Sequence, residues 1–329
     1  MTDSAHHIRR TIGVDVGGTK VAGGLVTERG ELGPVLRIPM NVRGTAAEGF
    51  AAVSFVVDQL VNNEGGDNAS ISIGVCAPGP LDPRTGVVLN PPNVPCWRNF
   101  PLVAEIQRRY RATARLDNDA NAAALAESLW GAGRGYSNVF YACVGTGIGT
   151  GIVLDGKIFH GRTGAAAEGG HISIDYRGPA CNCGKKGCIE ALASGTAIAR
   201  RGREMVMADP KGGAQLLGLA NGDANAIRSE MIGTAAEMGD PVAQQVLADT
   251  IEFLAVWLDN IVDLLEPEVM ILGGGVSEML RPRFPRIQDR LSSWCVNGRC
   301  CEIPLVPAHY GENSGIAGGA ALCFLPVAN

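Results

Sequence analysis

Residues 11–39 read TIGVDVGGTKVAGGLVTERGELGPVLRIP. Residues 11–17 form a short β-rich run, Val21–Thr27 a second and Glu31–Pro39 a third. Gly17-Gly18-Thr19-Lys20 marks the first turn and Glu28-Arg29-Gly30 the next. Apolar β-formers separated by such residues predict a strand–turn–strand–turn–strand meander. The plan recurs at 139–161, VFYACVGTGIGTGIVLDGKIFHG. There Val139–Val144 and Gly151–Leu154 are strands around a glycine turn, and Asp155-Gly156 is a hairpin turn. Two copies of a meander, each feeding helices, predict a duplicated α/β domain with a cleft between the copies.

The rest of the chain fits that plan. Phe50, Val53, Val56, Val57 and Leu60 give 46–63 a helical period. Ile71–Cys76 is a strand ended by Ala77-Pro78-Gly79-Pro80, Leu102–Tyr110 a helix, Ala112–Leu116 a strand and Asn121–Trp130 an alanine-rich helix. Gly195–Met207, Ala226–Met238 and Pro241–Leu265 are predicted helices. Val269–Leu272 is a buried strand before Gly273-Gly274-Gly275, Ile303–Val306 a strand, and Ser314–Phe324 a final helix of small residues.

Composition narrows the function classes. The 329 residues correspond to about two domains, enough for a large core without disulfides. Glycine, at 45 residues, is roughly twice its usual share of ~7%. There is no collagen period, and 46% hydrophobic residues exclude a disordered chain. The glycines therefore serve tight turns and close approaches of backbone to a ligand. A net charge of −5 argues against non-specific nucleic-acid binding. No stretch reads as a membrane span, and MTDSAHHIRR lacks an apolar leader core. The expectation is a cytoplasmic chain whose ten cysteines are reduced thiols or metal ligands.

Three groups of residues carry chemistry. In Asp15-Val16-Gly17-Gly18-Thr19-Lys20 the glycines let backbone N–H groups reach an anion, with a hydroxyl from Thr19 and a cation from Lys20. A carboxylate beside a phosphate-binding turn is repulsive without a cation, so Asp15 implies Mg²⁺. Gly145-Thr146-Gly147-Ile148-Gly149-Thr150-Gly151 is the second such loop; it lacks GKS/T and leads into a strand, so it is neither a P-loop nor a dinucleotide fingerprint. Plain glycine hairpins are the alternative for both loops. Gly273–Gly275 suits either a close pass under a purine or simple packing of strand on helix.

His171, Cys181, Cys183 and Cys188 lie in 18 residues rich in turn formers, a donor set matching a closed structural zinc site. The alternative is three free thiols in a loop. Cys76, Cys96, Cys143, Cys295, Cys300, Cys301 and Cys323 read as core residues or bystanders. Glu168 and Glu190 flank the cluster, and metal ligands beside them would fix both as hydroxyl acceptors for a polyol. Finally, Asp117-Asn118-Asp119-Ala120-Asn121 joins a strand to a helix. It offers either a helix cap or an aspartate as general base toward an alcohol.

In this order, and with Gly170-His171 followed by C-x-C-G-x-x-G-C-x-E over 181–190, these residues resemble the ROK-family sugar kinases, most closely the bacterial glucokinases among them. The resemblance runs from about residue 11 to 322. It implies an actin/hexokinase-like (ribonuclease H-like) α/β fold, duplicated, with a central cleft. Expected boundaries are 1–120 plus 314–329 for a small domain and 121–313 for a larger one carrying the zinc loop. It implies ATP-dependent phosphorylation of a hexose at the 6-hydroxyl, glucose foremost, with Asp119 as base and Asn118, Glu168, His171 and Glu190 on the sugar. Asp15, Gly17, Gly18, Thr19, Lys20, Gly145, Thr146 and Gly147 would serve phosphate and Mg²⁺, and Gly274 and Gly275 the adenosine. His171, Cys181, Cys183 and Cys188 would hold structural Zn²⁺. By analogy the chain is a homodimer or homotetramer.

Two features depart from the family pattern: Asp117 stands where glucose-type members commonly carry glutamate, and Gly169 where a bulky apolar residue is usual. Asn90–Trp97 resembles the family's sugar-side Asn…Trp loop but is longer. Alternatives within the family are kinases for N-acetylmannosamine, N-acetylglucosamine or fructose, and sugar-responsive repressors. The latter carry a helix-turn-helix ahead of the kinase-like core, for which a phosphate motif starting at Asp15 leaves no room.

Overall fold

The computed structural model describes residues 8–63, 72–294 and 296–325. In chain order the elements are β1 (Arg10–Val16), β2 (Lys20–Thr27), β3 (Leu32–Pro39), α1 (Ala46–Asn63), β4 (Ser72–Ala77), β5 (Leu81–Asp82), β6 (Val87–Val88), α2 (Leu102–Tyr110), β7 (Ala114–Asn118) and α3 (Asp119–Leu129). There follow β8 (Val139–Val144), β9 (Ile148–Leu154), β10 (Lys157–Ile158), α4 (Ile189–Ala193), α5 (Gly195–Ala208), α6 (Ala214–Leu219), α7 (Ser229–Glu237) and α8 (Pro241–Leu265). The chain closes with β11 (Val269–Gly273), α9 (Gly275–Leu280), α10 (Phe284–Trp294), β12 (Leu305–Pro307) and α11 (Ser314–Leu322).

The two meanders form as their sequence predicts. One sheet has the order β3-β2-β1-β4-β7 and the other β10-β9-β8-β11-β12. In each, an antiparallel meander continues through its first strand into two parallel strands, consistent with duplication. β9 begins at Ile148, three residues before its expected start, so the second glycine loop narrows to Gly145–Gly147. Ile71, the expected start of β4, lies outside the described residues, as do Met1–His7 and Cys295.

The expected helix at Ala226–Met238 is shorter. Asp223 accepts from Asn225 N and makes 224–226 a separate turn. The Arg203 guanidinium takes the Ile227 carbonyl at 2.8 Å, so 227–228 stays extended and α7 starts at Ser229. Among the described residues no helix is long and apolar enough to cross a membrane.

The chain divides into two compact units: 1–138, 151–167 and 309–329, and 139–150 with 168–308. These bounds differ from the sequence-based ones, because α3 and residues 151–167 group with the first unit. Packing explains it: Ala122, Leu125 and Ala126 of α3 share a core with Ile158 of β10 and with Ala317, Ala321 and Leu322 of α11. α11 lies so close on the first sheet that glycine is required beneath it. A Cβ on Gly74 would collide with the Gly319 carbonyl oxygen, and one on Gly13 with the Ile316 carbonyl. Backbone cannot swing aside as a side chain can. Gly74→Ala is therefore expected to destabilise by about 3 kcal/mol or more, lowering Tm by about 6 °C or more in thermal denaturation. An unchanged Tm would show that α11 is not held against β4.

Candidate active site

In the first unit the parallel strands end together. Register sets Asp15 beside Cys76 and Cys76 beside Asp117, at the carboxyl ends of β1, β4 and β7. Such ends are where open α/β sheets place ligands. The Cys76 thiol donates to the Gly315 carbonyl at 3.1 Å and lies 3.5 Å from an Asp15 oxygen. Burial pushes the Asp15 carboxyl up, against the pull of Cys76, Lys20 and Arg37. After β1, Gly17 N donates to Lys20 O at 2.9 Å and closes the first glycine turn. A Cβ on Gly18 would stand 3.1 Å from the Asn93 carbonyl, while Thr19 and Lys20 are exposed.

The capping reading of the acid segment holds at Asn118. Asn118 caps α3: its side-chain oxygen accepts from Ala120 N at 2.9 Å and Asn121 N at 3.4 Å. Asp119 opens the helix, and its Oδ1 accepts from Ala120 N at 2.9 Å. A helix N-terminus favours an ionised carboxylate. Burial outweighs it, with help from the nearby Asp15 charge, and pushes Asp119 up to about 6. Asp119 is solvent-exposed as a residue, yet protein atoms crowd its carboxyl closely enough to desolvate it. A carboxylate poised near neutrality, next to another carboxylate, suits proton transfer. Asp117, by contrast, is turned inward and almost without water.

The second unit carries the other groups. The Gly145 N–H donates to Gly147 O at 2.9 Å, tightening the turn. Its outer backbone is tied to the start of α5, where Gly195 N donates to Gly145 O at 2.7 Å and Thr196 Oγ1 to Thr146 O at 2.9 Å. Gly145 and Thr146 line a cavity of about 610 Å³ with Thr196, Arg203, Gly275 and Met279. That volume accommodates a nucleoside-sized ligand. The third glycine run splits between its two readings. Gly274, at φ +89°, is a packing glycine whose Cβ would strike the Val144 backbone, whereas Gly275 has open space and faces the cavity.

Glu190 sits at the first turn of α4, directly after Cys188 and Ile189. Its Oε2 accepts from Ile148 N at 2.9 Å, and a Cβ on Gly147 would stand 2.6 Å from it. Its Oε1 lies 4.0 Å from His171 Nδ1. Glu168 precedes the short turn Gly169–His171. Gly169 is pinned on both sides: its N–H donates to Thr150 Oγ1 at 2.8 Å and its carbonyl accepts from Trp257 Nε1 at 3.1 Å. A Cβ there would stand 2.7 Å from the Thr150 hydroxyl, which accounts for glycine where a bulky residue was the expectation.

His171, Cys181, Cys183 and Cys188 bring one ligand atom each to within 4.8 Å of one another. Cys183 and Cys188 sulfurs are 3.6 Å apart, and Cys181 Sγ is 3.6 Å from His171 Nδ1. A tetrahedral zinc with Zn–S near 2.3 Å spaces its sulfurs about 3.7 Å apart. The donor set and spacing thus fit zinc.

Thus Asp15, Gly17, Gly18, Thr19, Lys20, Asn118 and Asp119 belong to the first unit. Gly145, Thr146, Gly147, Glu168, His171, Cys181, Cys183, Cys188, Glu190, Gly274 and Gly275 belong to the second. Trp97 departs from the sugar-side expectation. It is fully buried, stacked on Phe100 at 5.2 Å, with its indole N–H donating to the Ala46 carbonyl. Cys76, Cys300 and Cys323 are buried, Cys96 and Cys143 half-buried and Cys301 exposed. Sequence reasoning missed Arg203 and Met279 of the cavity, and the Thr150 and Trp257 partners of Gly169. They stand singly on helices or strands and carry no local pattern.

The family model described as "ROK family" matches residues 11–324. The glucokinase of Streptomyces coelicolor is 33% identical over 317 residues, covering 96% of this chain and 98% of that protein. The glucokinase of Thermotoga maritima is 32% identical over 315 residues, 95% and 96% of the two chains. A solved structure of a ROK family glucokinase from Streptomyces griseus, in complex with glucose and AMPPNP, superposes with a TM-score of 0.80 at 35% identity, covering 95% and 98%.

Proposed function

The chain belongs to the ROK family, and on that premise we propose that it transfers the γ-phosphoryl group of ATP to the 6-hydroxyl of glucose, forming glucose 6-phosphate. The observation that carries the reading is Asp119: an open carboxylate at the head of α3, pushed up to about 6 and so suited to accept a proton from an alcohol. The full-length similarity to glucokinases supports the substrate and the donor. Asp119 accepts the hydroxyl proton as the oxygen attacks phosphorus and the bond to ADP breaks. Asn118, Glu168, His171 and Glu190 bind the remaining hydroxyls.

Gly145, Thr146 and Gly147 offer backbone to the phosphates, as do Gly17, Gly18 and Thr19, with Lys20 adding positive charge. Gly275 and the cavity around it take the adenosine, with Gly274 packed beside it on the Val144 backbone. The oxygen donor Asp15, half-buried and near a second acid, fits Mg²⁺. When bound, the ion neutralises charge on the transferring phosphate. His171, Cys181, Cys183 and Cys188 hold a structural Zn²⁺, whose role is to fix Glu168 and Glu190. We place the enzyme in the cytoplasm as a homo-oligomer, with no nucleic-acid partner.

A coupled assay over hexoses and N-acetylhexosamines, with ATP or polyphosphate and Mg²⁺, tests this reading. Glucose with ATP is expected to give the highest kcat/KM. An N-acetylhexosamine in first place, or no turnover with any sugar, would overturn it.

A further inference from the structure

His160 follows β10, 43 positions after Asp117. Its Nε2 stands 2.6 Å from Asp117 Oδ2. The Asp117 side chain is 4% exposed and the imidazole 36%. Asp117 Oδ1 accepts from Asn118 N at 2.8 Å and from Asn121 Nδ2 at 3.2 Å. One nearly dry carboxylate thus receives three hydrogen bonds, and two come from the turn that carries Asp119. The His160 backbone is anchored as well, its carbonyl accepting from Ala166 N at 3.2 Å. The cost of an uncompensated charge at Asp117 falls on the geometry of this turn.

We propose that His160 is a positioning residue for phosphoryl transfer: it clamps Asp117, and Asp117 in turn holds the Asn118–Asn121 turn so that Asp119 meets the sugar hydroxyl. The proposal rests on Asp119 being the base. A protonated imidazole makes the clamp charge-assisted and short; a neutral one leaves an ordinary hydrogen bond. The charged groups facing His160 are Asp117 and the exposed Arg84. The hydrogen bond to Asp117 raises its proton affinity, while burial and Arg84 oppose the rise. The clamp therefore weakens as pH rises through a value above 6.5.

The experiment is kcat against pH for the full chain and for His160→Gln, whose amide still donates but never carries charge. The ratio of wild type to variant is expected to be about tenfold near pH 6.5. It should fall to about one near pH 9, with KM for ATP unchanged. A ratio that is constant with pH, or close to one throughout, would overturn the proposal. A second measurement guards against a poorly folded variant. By NMR, the His160 imidazole of wild type should titrate above 6.5 and shift downward in Asp117→Asn; an unmoved titration also overturns the clamp. Asp119→Asn separates the two claims. If it is inactive while the ratio stays flat, the base stands and the clamp falls. If it is fully active, both fall.

Discussion

Asp119→Asn is expected to lower kcat by about 10²–10⁴-fold while leaving glucose affinity nearly unchanged. The amide keeps the shape and a hydrogen bond to the sugar, and Ala120 N can still donate to its oxygen. What it loses is the capacity to take a proton. The pH dependence has a definite sign. Burial raises the Asp119 carboxyl to about 6, so the ionised base is lost as pH falls through that value. The kcat of wild type should therefore climb from about pH 5 to pH 7, reaching half its plateau near 6, and this acid limb should vanish from the residual activity of the variant. A coupled assay gives kcat, and calorimetric titration with glucose gives the affinity. Near-normal turnover in a folded variant would remove Asp119 from the mechanism, and Asp15 would be the next carboxylate to test.

The two meanders were legible because their information is local: β-formers alternate with Gly, Asp and Lys turns at fixed spacing. The zinc-type set was legible for the same reason, since four donor residues with turn formers between them lie in one short stretch. Placement of α3 with the first unit was not legible from its own residues. An alanine-rich helix has no preferred partner until α11, nearly two hundred residues later, offers glycines for it to press against. The 3.6 spacing of Phe284, Ile287 and Leu291 was readable as α10, but the surrounding arginines and prolines obscured it. The extended break before α7 depends on Arg203, a residue from another helix.

Within the candidate site, the sequence pattern singles out candidate donors and acceptors but not the partners that the fold sets against them. Thr150 and Trp257 grip a single peptide group at Gly169, and His160 reaches an aspartate 43 positions earlier. Such partners are ordinary residues until the fold juxtaposes them. The same limit explains Trp97. Beside Asn and Pro it looks like a recognition residue, yet its indole fills the core beneath α1 and its one polar atom is spent on a backbone carbonyl.

Removing the zinc proposed for the cysteine cluster, by a chelator or by Cys181→Ser, is expected to raise KM for glucose about ten- to hundredfold and to leave KM for ATP almost unchanged. The reasoning follows from where the ligands sit. Cys188 is the residue that precedes α4, two positions before Glu190, and His171 ends the short turn that begins just after Glu168. The loop between them is paired through its backbone: Ile174 N to Gly187 O at 2.9 Å, Cys181 N to Lys185 O and Gly187 N to Pro179 O at 2.8 Å, and, across its two ends, Ile189 N to Ile172 O at 2.9 Å. These backbone bonds hold the main chain of both ends, and none of them holds the imidazole of His171 or the carboxyl of Glu168, two of the groups proposed to bind the sugar. A metal ligated by His171 would hold that imidazole and the turn behind Glu168 more tightly, because moving them would break a ligand bond. Glu190 would keep its bond to Ile148 N after metal loss, so the effect should fall more heavily on Glu168 and His171. The cavity proposed for ATP is lined by Gly145, Thr196, Arg203 and Gly275, none of them in the loop, which is why the two KM values should part. Elemental analysis of the intact protein should give about one zinc per chain. Complete zinc loss with an unaltered KM for glucose would mean that the cluster holds the loop alone and has no hold on the sugar.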